Sequence, residues 1–229
     1  MKNLSILGST GSIGDSTLKV VDNLKAQFKI RYLSANNNYK KLADLAKKYN
    51  PKYVIIDKEF YGDLKELLGS TKVKILTNEE GLIQACTDEK VDVVVNAIVG
   101  SFGLRPTITA AENGKVIALA NKESLVMAGE NVNALMKKTG ATILPIDSEH
   151  SAIFQSLNGE KYSAINKIIL TASGGPFRER KDSLEDVSIT DALAHPNWAM
   201  GNKISIDSAT MMNKGFELIE AVHLFNLKP

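Results

Sequence analysis

Over the first 146 residues, short apolar runs alternate with stretches in which apolar positions recur every three or four residues. The short runs fall at 4–7, 30–34, 53–56, 73–76, 91–96, 116–120 and 142–146, and each predicts a β-strand. The stretches between them, clearest at 39–49 and 59–68, predict amphipathic helices. The run Val91-Asp-Val-Val-Val is apolar on both faces, as a parallel strand covered by helices on two sides requires. Such alternation predicts an α/β fold built on a doubly wound, mostly parallel sheet.

The texture changes after about Pro145. Residues 171–215 are rich in Gly, Pro, Ser, Asn and His and carry little helical periodicity. A predicted strand at 164–170 precedes them, and a predicted helix from 209 to about 225 follows. Irregular stretches of that length inside a domain are uncommon unless they are functional. The expected division is therefore 1–146 and a second, catalytic α+β domain at 147–229. Pro229 falls directly after a helix with no closing strand, so the second domain is expected to be incomplete.

Composition narrows the function. The chain has 229 residues, of which 44% are hydrophobic and 24% charged, which excludes an intrinsically disordered protein. A net charge of +2 gives no global basic field of the kind that marks nucleic-acid binders. Locally the balance is uneven. The first 50 residues hold nine Lys/Arg against three Asp, a net +6, which suits either a phosphate-bearing ligand or a solvated face. The single cysteine, Cys86, cannot form an intrachain disulfide and sits in a helical-looking stretch, so it reads as packing in a reducing compartment. No apolar run approaches the ~18–20 residues that span a bilayer, and no leader segment is expected ahead of the first strand. The expectation is a cytoplasmic protein with neither a membrane nor a nucleic-acid partner.

Candidate chemistry begins with Gly8-Ser-Thr-Gly11-Ser-Ile-Gly14, between the first strand and a helix. Glycines there permit a tight turn and close approach of a pyrophosphate to a helix N-terminus; a purely structural glycine turn is the alternative. The spacing is a GxxGxxG variant of the commoner dinucleotide motif. The second strand ends in Ala35-Asn36-Asn37-Asn38-Tyr-Lys40-Lys41, without the acidic residue that usually meets the ribose of NAD, which favours NADP. The amides and Lys40 and Lys41 can supply donors, or they are solvated residues at a helix start. Asn121-Lys122-Glu123 follows a strand, where open α/β sheets place ligands, although an ordinary helix N-terminus reads the same. In Asp147-Ser148-Glu149-His150 an extended chain would project both carboxylates to one side, and oxygen donors suit Mg²⁺ or Mn²⁺ rather than zinc. Asn213, Lys214 and Glu217 share one helical face with Glu220 one turn beyond; a simple Lys214–Glu217 pair is the alternative. His195-Pro-Asn-Trp198-Ala-Met200-Gly201 carries the lone Trp in a Gly/Pro-bounded loop and reads as a lid, or as ordinary packing. The Thr171–Pro176 stretch and residues 205–213 add hydroxyl donors suited to phosphate. His150 and His223 lack ligand spacing and read as structural.

Together, LGSTGSIG, ANKESLV, PIDSEHSAIFQ, TASGGPFR, HPNWAMG and ISIDSATMMNKGFELIEA, in that order, closely resemble the 1-deoxy-D-xylulose 5-phosphate reductoisomerase family. The resemblance implies a Rossmann-like NADPH-binding domain at 1–146, a metal- and substrate-binding catalytic domain at 147–229, and further chain beyond it in other members. It implies an enzyme that uses NADPH and one Mg²⁺ or Mn²⁺ on a phosphosugar substrate, and a homodimer for the full-length protein. By resemblance, Thr10, Gly11, Ser12 and Ile13 hold the pyrophosphate, and Ala35, Asn36, Asn37 and Asn38 lie at the adenosine end. Asn121, Lys122 and Glu123 lie near the nicotinamide and substrate. Asp147, Glu149 and Glu217 look like the metal ligands, and Ser148 and Lys122 contact the substrate backbone. Ser173, Ser208, Asn213 and Lys214 form the phosphate pocket, with His195, Trp198 and Met200 on the closing loop. Many members carry Gly and a basic residue where this chain has Asn36-Asn37, which implies a looser grip on the 2′-phosphate. The alternatives are another NADP-dependent sugar or semialdehyde dehydrogenase and a dinucleotide-binding fragment without turnover.

Overall fold

Strand β1 (Lys2–Leu7) is buried from Leu4 to Leu7 and lies at the centre of the sheet. The computed structural model describes residues 1–198 and 200–227, which divide into two compact units, Met1–Asp147 and a second beginning at Ser148. In the first unit β1 pairs in parallel with β2 (Phe28–Ser34) on one side and β5 (Val93–Asn96) on the other. Beyond β2 come β3 (Tyr53–Ile56) and β4 (Lys74–Thr77), and beyond β5 come β6 (Val116–Leu119) and β7 (Thr142–Pro145). The order β4-β3-β2-β1-β5-β6-β7 is parallel throughout, so all seven runs expected as strands form strands.

Helices α1 (Ser12–Asn23), α2 (Tyr39–Tyr49) and α3 (Tyr61–Leu68) connect the strands on one side of β1. Their apolar stripes, including Leu18, Leu42, Ala46 and Leu64, pack with Ile6, Leu33 and Val54 in one core. After α4 (Asn78–Thr87) the chain returns to the other side of β1, followed by α5 (Leu104–Glu112) and α6 (Lys122–Thr139). The strand order therefore reverses between β1 and β5, and their carboxyl ends mark the crevice where doubly wound sheets bind ligands. Cys86 is fully buried, and burial pushes its thiol up to about 12, which agrees with a packing role.

At the amino-terminal edge, Asp88 accepts hydrogen bonds from the Arg31 guanidinium and the Tyr32 hydroxyl, both at 2.7 Å. Burial raises its carboxyl pKa, but these bonds outweigh burial and hold it down to about 2 from 3.8. A carboxylate lowered on folding adds stability above its unfolded pKa and loses it as pH falls through the folded value. Asp88→Asn should therefore cost about 2 kcal/mol near neutral pH, a figure that follows from ~1.4 kcal/mol per unit. Urea unfolding should show this gap closing as pH falls from about 4 to about 2. A gap that stays constant with pH would contradict the pairing.

Among the described residues, the second unit contains helices and loops. These are α7 (Ser148–Leu157), α8 (Ile189–Leu193), α9 (Asn202–Ala209) and α10 (Met212–Leu224), with a 3₁₀ turn at Tyr162–Ala164. Three expectations are corrected. Residues 165–170 form no strand, because no described segment offers them a ladder and Ile169 is 70% exposed. The helix expected from 209 begins only at Met212, after Met211 with its left-handed φ of 60°, and a separate helix, α9, which was not expected, precedes it. Ser148 begins a helix rather than an extended chain, so Glu149 lies in a first helical turn. None of the described helices is long and apolar enough to cross a membrane.

Candidate active site

The turn between β1 and α1 shows which glycines the fold itself needs. A Cβ on Gly8, whose φ is +82°, would meet the Ala97 carbonyl oxygen at 2.6 Å, and one on Gly14 would meet the Ser9 carbonyl oxygen at 2.4 Å. Backbone packing accounts for both. Around Gly11, by contrast, the nearest atom to such a Cβ is 3.5 Å away, so the fold leaves this face free. Gly11 is the N-cap of α1, and no side chain caps the helix start. The turn thus presents Ser12 and Ile13 at an uncapped helix N-terminus, the arrangement that favours phosphate. Behind it, Lys41 donates to the Thr10 carbonyl at 3.0 Å and pairs with Asp15 at 2.7 Å. Lys41 therefore braces the turn, and Lys40 lies 5.9 Å from the Tyr39 ring. Ala35 is buried, while Asn36, Asn37 and Asn38 are exposed where β2 ends. Asn38 accepts from the Lys41 N–H at 3.2 Å and caps α2.

Asn121 works mainly for the scaffold. Its Nδ2 donates to the carbonyls of Ile98 and Gly100 at 2.7 and 2.8 Å, and its Oδ1 accepts the Ser124 N–H at 3.0 Å, capping α6. A buried chain of Asn96, Thr107 and Ser124 supports it, with Asn96 Nδ2 2.8 Å from Thr107 Oγ1 and Thr107 Oγ1 donating to Ser124 Oγ at 3.0 Å. Glu123 accepts from Asn121 at 3.1 Å. Lys122, only 6% exposed, places its ammonium 2.5 Å from the Asp147 carboxylate.

In the second unit the first turn of α7 and the face of α10 meet through Lys214. Its ammonium lies 3.1 Å from Glu149 Oε1 and also contacts the Glu217 carboxylate and the Thr171 carbonyl. Glu217 is fully buried and accepts from Asn213 Nδ2 at 2.5 Å. Burial raises the Glu149 pKa, but hydrogen bonds from Ser148 and Lys214 leave it below the usual carboxylate range. Two carboxylates share one ammonium, an all-oxygen, net-anionic donor set that suits a hard divalent cation. A cleft beside them is lined by Glu149, Ser173, Ser208, Met211, Asn213 and Lys214. All four residues expected to hold phosphate are thus brought together. The cleft's free volume is about 20 Å³, room for one water, so a phosphate enters only if the cleft widens.

His195 links this cleft to the following loop. Its Nδ1 accepts the N–H groups of Asn197 and Trp198 at 3.2 and 3.1 Å, which puts the ring hydrogen on Nε2, where it donates to Ser173 Oγ at 3.1 Å. Trp198 is 65% exposed, Met200 is partly buried, and Ala199 between them lies outside the described residues.

Comparison with known proteins decides the family. A family model described as 1-deoxy-D-xylulose 5-phosphate reductoisomerase matches residues 4–129, and the model of that enzyme's C-terminal domain matches residues 143–225. The chain belongs to the 1-deoxy-D-xylulose 5-phosphate reductoisomerase family. It is 52% identical to the reductoisomerase of Chloroherpeton thalassium and 51% identical to that of Bacillus subtilis, in each case over 99% of this chain. The chain spans only 59% and 60% of the length of these two relatives. A crystal structure of DOX-P reductoisomerase with NADPH, fosmidomycin and magnesium matches with a TM-score of 0.92 at 47% identity, covering 100% of this chain and 59% of that one. The Zymomonas mobilis reductoisomerase in complex with NADPH matches at 0.88 and 44%, covering 99% and 59%.

Against this reductoisomerase frame, the sequence missed the supporting residues. Lys41, read either as a ligand donor or as a solvated residue at a helix start, braces the turn through the Thr10 carbonyl and Asp15, while Asn96, Thr107 and Ser124 gave no motif. His150 reads as structural and is fully buried, yet its Nε2 donates to the Glu217 carbonyl at 2.9 Å and its Nδ1 faces Glu220 at 3.4 Å. It therefore anchors the helix turn that presents Glu217. No local spacing signals this, because the two residues lie 67 positions apart.

Proposed function

We propose that this chain is the NADPH-binding part and the adjoining catalytic part of a reductoisomerase that converts 1-deoxy-D-xylulose 5-phosphate to 2-C-methyl-D-erythritol 4-phosphate. The observation that carries the reading is the second-unit cluster, where the buried Glu217 and the partly buried Glu149 adjoin a cleft of Ser173, Ser208, Asn213 and Lys214. That pairing matches a substrate with a phosphate at one end and oxygens to chelate at the other. In this reading Glu149 and Glu217 hold one Mg²⁺ or Mn²⁺, and the resemblance adds Asp147, two residues ahead of Glu149. When bound, the cation supplies Lewis acidity to the substrate's carbonyl and hydroxyl oxygens, and NADPH supplies the hydride. Ser173, Ser208, Asn213 and Lys214 bind and orient the phosphate. Lys122 fixes the Asp147 carboxylate, and His195 couples phosphate engagement at Ser173 to the backbone of the loop carrying Trp198, which excludes water as it closes. A homodimer and a cytoplasmic location for the longer protein belong to the same proposal.

Substrate-dependent NADPH oxidation, assayed in a form as long as the relatives, should vanish on chelation and return with Mn²⁺. Turnover that persists after exhaustive chelation would refute the metal assignment and favour an ordinary sugar dehydrogenase. Cofactor choice is tested on the 229-residue chain. With no carboxylate within the exposed Asn36–Asn38 segment itself, NADPH should bind at least ~10-fold more tightly than NADH. Asn37→Asp should narrow or invert that ratio by setting a charge against the 2′-phosphate. Equal dissociation constants in the native chain would exclude this reading.

A further inference from the structure

The basic excess near the N-terminus is only partly absorbed by the site above, since Lys41 and Lys48 pair with Asp15 and Asp22. At the amino-terminal edge of the sheet, opposite the Gly8–Gly14 turn, a cavity of about 320 Å³ opens where β2, β3 and β4 begin. Four cationic side chains line it, Lys29, Arg31, Lys52 and Lys72, together with Asn3 and Asn50, and no carboxylate does. Asp88 balances Arg31 at 2.7 Å and holds it in place. The three lysines form no ion pair among the described residues, and Asp92 at the rim accepts the Asn3 N–H at 2.7 Å, so the hollow carries a net +2 with Arg31 and Asp88 balanced. The Lys52 ammonium rests 5.2 Å from the Tyr53 ring, which is stacked on Tyr32 at 4.7 Å.

We propose that this cavity is an anion site for a compact, multiply charged oxyanion of the diphosphate class, separate from the dinucleotide turn. Converging ammonium groups repel one another, and a clustered negative charge relieves that repulsion while drawing its ligand by electrostatic focusing. The volume lies at the lower end of small-ligand sites, about 300–1,000 Å³, and the lining offers charge and amide donors rather than an apolar surface. It is a half-open hollow at the sheet edge and not the extended basic stripe that tracks a nucleic acid.

The test is a titration of the 229-residue chain with inorganic pyrophosphate, followed residue by residue through amide NMR shifts. Saturable shifts are expected at Arg31, Lys52 and Lys72. Lys52→Gln with Lys72→Gln should weaken them at least tenfold; both side chains are exposed, so the fold is kept. Shifts confined to residues 9–13 or 171–175 would overturn the proposal, because the anion would then occupy the sites already described. Shifts that do not saturate, that are matched by chloride at equal ionic strength, or that persist in the double variant would also overturn it, leaving solvated lysines.

Discussion

Alanine at position 11 is expected to leave the chain within about 1 kcal/mol of native stability, the cost of exchanging Gly for Ala at an N-cap, yet to weaken NADPH binding at least tenfold. Alanine at position 14 is expected to lower stability by roughly 1–3 kcal/mol, the range for overpacking a well-packed site. The two glycines lie one helical turn apart in a single motif, so motif membership alone does not separate them. Space does. At Gly14 the added Cβ would sit 2.4–2.6 Å from three backbone atoms of Ser9, none of which can rotate away. At Gly11 the φ is −86° and the closest atom is at 3.5 Å, so the methyl fits the protein. It would not fit a pyrophosphate seated on the bare N–H groups of Ser12 and Ile13. Urea unfolding and cofactor titration on both variants read the two effects separately. Native NADPH affinity in Gly11→Ala would remove the pyrophosphate from this turn.

What the sequence made legible was local. The seven strands stand out because buried parallel strands are continuous apolar runs, and the Gly8–Gly14 turn follows the first of them directly. The run at 164–170 carries the same apolar signature and forms no strand, because a strand exists only with a neighbour and the described chain offers none. Met211 was equally silent. Nothing in Thr210-Met-Met-Asn announces the left-handed residue that separates α9 from α10 and turns Asn213 and Lys214 toward Ser173 and Ser208. The carboxylates and the residues expected to hold phosphate were readable as types and, through family resemblance, as a set. Their supports, Lys41 behind the turn and His150 under Glu217, were not, because each acts through a backbone carbonyl far along the chain.

Glu217→Gln should weaken Mn²⁺ binding roughly 100-fold while the second unit stays folded. Loss of a supporting partner alone typically costs 10–100-fold in metal affinity, so loss of a ligand belongs at the top of that range. Charge decides the outcome more than shape. Lys214 already neutralises one of the two carboxylates, touching Glu149 at 3.1 Å and Glu217 as well. With Glu217 neutral, Lys214 and Glu149 balance to zero, and a dication gains little from approaching them. Glutamine keeps the volume of this fully buried side chain, and its carbonyl oxygen still accepts from Asn213. Lys214 keeps Glu149 and the Thr171 carbonyl, so no charge is stranded. Circular dichroism should therefore be unchanged, with a stability loss of about 1–3 kcal/mol for one compromised buried hydrogen bond. Glu149→Gln, at a side chain 20% exposed in the first turn of α7, repeats the charge change at less structural risk and should give the same loss. Calorimetry that finds native Mn²⁺ affinity in both variants would dismiss this carboxylate pair as the metal site and leave Lys214 as an ordinary ion-pair hub.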